Sequence, residues 1–69
     1  MRQFVISGKI YIAKTPIEAA RMGILDIEKG SKKIIFFQVK EIGKNKEYKY
    51  IAQRLKYANN QIRYRVSKQ

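Results

Sequence analysis

Glu47-Tyr48-Lys49-Tyr50-Ile51-Ala52-Gln53-Arg54-Leu55-Lys56-Tyr57-Ala58, followed by Asn59-Asn60-Gln61-Ile62-Arg63-Tyr64-Arg65-Val66, decides the fold, because its first half fits two periodicities. As a helix over residues 46–58, Tyr48, Ile51, Ala52 and Leu55 form an apolar stripe at spacings of three and four. As a strand, Ile51, Leu55 and Tyr57 share one face. Asn59-Asn60 tolerates the left-handed conformations of a hairpin turn. With the turn there, Tyr57 opposes Ile62, Leu55 opposes Tyr64 and Gln53 opposes Val66. The last strand alternates Ile62, Tyr64 and Val66 against Arg63 and Arg65. The hairpin is preferred because this register sets apolar residues opposite one another. A second helix at 46–58 is the alternative.

Upstream, Lys33–Ile42 is the strongest strand, rich in β-branched and aromatic residues. Ile35, Phe37 and Val39 line one face, and Ile34 and Phe36 give the other face apolar cover, which suits a central strand. Thr15-Pro16-Ile17-Glu18 reads as a helix start: Thr15 as N-cap, Pro16 at the first helical position, Glu18 completing a capping box. Gly23 is the expected terminator, with continuation to Gly30 as the other possibility; Ile17, Ala20 and Ile24 face the core. Residues 2–14 alternate as strand, and Ser7-Gly8 is either a tight turn or a bulge. The expected fold class is α+β: a small antiparallel sheet of four or five strands with one short helix, about residues 15–23, on one face. All 69 residues are expected to form a single domain.

Composition narrows the function. Without histidine or cysteine, the chain lacks the usual zinc and iron–sulfur ligands and any disulfide. No metal site or cofactor is expected. The five carboxylates are scattered and no serine has a base partner, so the chain is not expected to be an enzyme. Nothing approaches a membrane span, and Met1–Ile12 lacks a signal-peptide core, so a cytoplasmic protein starting at or near Met1 is expected.

Charge is the strongest signal, at a formal +11. Residues 1–43 carry eight basic and four acidic groups, whereas residues 44–69 carry eight basic groups and only Glu47. Such density implies a polyanionic partner, with nucleic acid (DNA or RNA) first. In the expected hairpin, Arg54, Lys56, Arg63 and Arg65 crowd one face beside Tyr50, the one tyrosine expected to be exposed. Phosphates would relieve their repulsion and Tyr50 would stack on a base. Two basic turns add Lys32 and Lys33 (with Lys29) and Lys44 and Lys46, which reach phosphates without reading sequence. If about five phosphates are neutralised, log K falls with log salt at a slope of about −4 to −5.

Part of the chain loosely resembles the archaeal ribosomal protein LX family: a strand near Phe4–Ile10, Glu18-Ala19-Ala20, then Gly30-Ser31-Lys32 before a strand ending Val39-Lys40-Glu41-Ile42. The likeness covers about half of the chain, rests on common residue types and has no counterpart for residues 44–69. A ribosomal protein packing on ribosomal RNA is an alternative, mainly because small size, high charge and the absence of cysteine suit that role. Another alternative is a small phage- or virus-type module docking on an acidic host protein, and a third is a homodimer through a sheet edge, since a thin core often needs a partner. A docking module predicts a compact apolar patch with a charged rim. Binding by phosphate contacts predicts a broad basic face with few exposed apolar groups. Joint exposure of Ile34 and Phe36 favours docking.

Overall fold

The computed structural model describes residues 1–27, 32–56 and 62–69. Their elements are β1 (Arg2–Ile6), β2 (Lys9–Ala13), α1 (Pro16–Ile27), β3 (Ile34–Glu41), β4 (Lys46–Lys56) and β5 (Ile62–Lys68). The strands form one sheet in the order β2-β1-β3-β4-β5, with every neighbouring pair antiparallel. The α+β fold, with one helix among the described residues, agrees with the sequence expectation, and residues 46–56 are strand.

The local chemistry explains the elements. Ser7 and Gly8 both take positive φ, 49° and 80°, so the β1–β2 connection is a two-residue hairpin turn and not a bulge. The Thr15 hydroxyl accepts the Glu18 N–H at 3.3 Å, and the Glu18 carboxylate accepts the Lys14 N–H at 3.2 Å. The helix start is therefore the expected capping arrangement, with the carboxylate reaching one residue further back. Since β1 is antiparallel to both neighbours, β2 and β3 are parallel, and α1 is the crossover between them.

Helix α1 packs against both edge strands, β2 and β5, as well as the middle of the sheet. Five flat strands span about 19 Å from edge to edge, nearly twice the width of a helix. The sheet therefore curls around α1, leaving a concave face filled by the helix and a convex face open to solvent. Phe4, Ile6, Tyr11, Ile35, Val39, Tyr50, Ala52 and Val66 meet Ala19, Ala20 and Ile24 in the core.

Two expectations need correction. Gly23 does not end the helix; α1 continues through it to Ile27. A Cβ at Gly23 would lie 2.6 Å from Ile6 Cδ1, so the glycine allows helix and β1 to approach closely. The second correction is register. Leu55 opposes Arg63, Arg54 opposes Tyr64, Gln53 opposes Arg65 and Ala52 opposes Val66. This is one residue away from the expected pairing, so the other face of β4 turns inward. Tyr48, Tyr50 and Ala52 lie over Val39, Phe37 and Ile35, and Ile51 and Leu55 face outward. The aromatic volume of Tyr48 and Tyr50 fills the core, and β3 imposes that choice through the burial of Ile35 and Val39. The Asn59-Asn60 turn and Tyr57 lie outside the described residues. Among the described residues, no helix is long and apolar enough to cross a membrane.

Candidate nucleic-acid interface

The convex face is built by alternation. On β3 the residues that point away from α1 are Ile34, Phe36, Gln38 and Lys40; on β4 they are Glu47, Lys49, Ile51, Gln53 and Leu55; on β5 they are Arg63, Arg65 and Ser67. Pairing fixes their neighbours: Lys40 opposite Glu47, Gln38 opposite Lys49, Phe36 opposite Ile51, Gln53 opposite Arg65 and Leu55 opposite Arg63. Phe36 is 67% exposed and Ile34 53%, with Ile51 and Leu55 half-buried beside them. Lys40 and Lys49 flank this apolar stripe towards the β3–β4 turn, and Arg63 and Arg65 flank it along β5. Among the described residues, Glu47 is the one carboxylate on this part of the face. Further across, towards β2, the face becomes uncharged, with Val5, Ile10 and Ile12.

The expected contact residues do not come together as a group. Arg63 and Arg65 are exposed on the convex face, whereas Arg54 lies on the helix side, half-buried, so the like-charge pairing of Arg54 with Arg65 is not formed. The cause is the register: opposed residues on β4 and β5 share parity in number, and even positions face inward. Tyr50 is not exposed. It is 2% exposed, its ring centroid lies 6.1 Å from that of Phe37, and burial pushes its hydroxyl pKa up. It cannot stack on a base from that position. Lys56 ends β4, and its side chain is outside the description, as is Lys29. Lys32 and Lys33 are exposed at the start of β3, where the Lys33 carbonyl accepts the Arg54 N–H at 2.8 Å. Lys44 and Lys46 are exposed at the opposite end of β3, about 25 Å away for eight strand residues. One compact ligand cannot touch both basic turns, although a long one can.

Sequence reasoning missed Lys40, Lys49 and Phe36 as partners of Arg63 and Arg65. The signal was present: alternation along β3 already placed Ile34 and Phe36 away from the core, and Lys40 continues that series.

Among the described residues, the acidic groups on the helix side, Glu18, Asp26 and Glu41, are engaged internally. Glu41 is 2% exposed; Arg2 Nε donates to its Oε2 at 2.9 Å and Arg2 Nη2 to its Oε1 at 2.7 Å. Tyr48 OH donates to Oε1 at 3.2 Å, and Lys44 Nζ lies 3.7 Å from Oε2. The Arg2 fork holds the Glu41 pKa down at about 2, against the cost of burial, helped by Tyr48 and Lys44. Arg2 also donates to the Lys14 carbonyl at 3.3 Å and sits over the Phe4 ring at 5.4 Å. Asp26 accepts the Tyr11 hydroxyl at 3.0 Å. Glu41 thus ties β1 to β3 and serves the fold.

No protein-family model matches this chain, and neither a curated protein nor a solved structure matches it.

Proposed function

We propose that this protein is a non-enzymatic nucleic-acid-binding module that uses the convex face of its sheet. The observation that carries this reading is the charge on that face: Lys40, Lys49, Arg63 and Arg65 against Glu47, on a chain of net +11. Four like charges spread over three adjacent strands repel one another, and a row of phosphates offsets that repulsion while releasing counterions. Arginine adds a planar fork that grips a phosphate through two hydrogen bonds.

The exposed stripe of Ile34 and Phe36 argues against a face that works by phosphate contacts alone. It favours a second reading, docking on an acidic protein, for which an apolar centre with a basic rim is the expected form. The size of the cation excess ranks nucleic acid first.

The test is a titration of labelled single-stranded DNA, duplex DNA and structured RNA at two salt concentrations, repeated with Arg63 and Arg65 both changed to Glu. Neutralising four phosphates gives a slope of log K on log salt of about −3 for a single strand and about −4 for a duplex. The double reversal weakens binding at least tenfold. A flat salt response, or an unchanged affinity in the variant, removes the proposal.

A further inference from the structure

We infer that the convex face takes single-stranded nucleic acid in preference to duplex, with Phe36 as the ring on which a base stacks; this rests on the nucleic-acid reading above. Phe36 is the third residue of β3, the central strand of the sheet, and is 67% exposed. Its cross-strand partner Ile51 and its neighbour Ile34 extend the apolar ground on either side. The cations stand around this centre: Lys49 two positions before Ile51 along β4, and Arg65 opposite Gln53, two positions beyond Ile51.

A ligand gains from that centre only by bringing an apolar face to it. In a duplex the base faces are stacked inside, and the outward surface is phosphate and sugar, so Phe36 and Ile34 would be covered without a matching partner. An unpaired strand turns its bases out, one ring settles on Phe36 and the backbone runs past the flanking cations. Face-to-face pairing of two copies is disfavoured, because it would bring Lys49 and Arg65 of one copy against the like charges of the other.

Electrostatics alone predicts the reverse preference, since a duplex carries more charge per unit length than one strand. This contrast makes the inference testable. The probes are fluorescein-labelled oligo(dT) and oligo(U) of about 15 nucleotides and a duplex of equal length. Poly-glutamate is the acidic-polypeptide control. The expected result is at least tenfold tighter binding of a single strand than of duplex. Phe36→Ala weakens the single-strand complex by about tenfold or more and leaves duplex binding within about twofold, whereas Phe36→Trp retains the preference. The exposed position of Phe36 lets these variants fold, which circular dichroism checks. Equal or tighter duplex binding, or an equal loss for both probes in Phe36→Ala, overturns the single-strand inference while leaving nucleic-acid binding in place. Binding to poly-glutamate with none to any nucleic acid overturns both and selects the acidic-protein partner.

Discussion

Gly23 gives the sharpest test of the packing. In an exposed helix, Gly→Ala stabilises by about 1 kcal/mol, because alanine loses less backbone freedom on folding. Here the added methyl would meet Ile6 Cδ1 at 2.6 Å and Ile6 Cβ and Cγ2 at 3.4 Å, in a side chain that is itself fully buried. Overpacking of this kind costs about 1–3 kcal/mol, so Gly23→Ala should be net destabilising by about 1 kcal/mol. Ile6→Val removes Cδ1 and should cost about 1 kcal/mol on its own. In the double variant the alanine methyl occupies the volume that Cδ1 leaves, and the remaining contacts are close to ordinary. The double variant should therefore lie within about 1 kcal/mol of the parent instead of about 2 kcal/mol below it, a coupling of about 2 kcal/mol. Urea denaturation of all four proteins, followed by far-ultraviolet circular dichroism, measures this cycle. Additive single effects, within about 0.5 kcal/mol, would refute the claim that close approach to β1 is why position 23 is glycine.

Two further outcomes follow from the geometry. Glu41 has a folded pKa of about 2, below its unfolded value near 4.3, so its contribution is present above that value and is lost as pH falls towards about 2. Melting temperature measured against pH should fall more steeply over this window for the parent than for Glu41→Gln, and parallel curves would remove Glu41 as the source. Thr15→Ala, which deletes the hydroxyl that accepts the Glu18 N–H, should cost about 1 kcal/mol in chemical denaturation, and an unchanged midpoint would mean the cap contributes nothing.

Much of the fold was legible in the chain. The capping box at Thr15–Glu18, the inward set of Ile35 and Val39, and the strand alternation of Tyr64 and Val66 depend on near neighbours, and each appears where expected. The failures involve choices between nearly equal local solutions. Both faces of β4 carry apolar side chains, Tyr48, Tyr50 and Ala52 on one and Ile51 and Leu55 on the other, so periodicity alone could not say which turns inward. The pairing expected from a turn at Asn59-Asn60, residues outside the description, grouped Arg54 and Tyr50 with Arg63 and Arg65, whereas the observed register, one residue away, separates them. The error passed directly to the candidate site, because a one-residue slip exchanges the two faces.

By itself, the amino-acid sequence determined the positive charge, the absence of histidine and cysteine, the helix start and the identity of the central strand, all of which are properties of composition or of residues close together in the chain. Only the tertiary structure decided which cations share a face. That choice depends on the register of β4 against β3 and β5, and on the curl of the sheet around α1. Both are settled by packing between segments far apart in sequence, where burial of Tyr50 against Phe37 and of Gly23 against Ile6 outweighs any local preference.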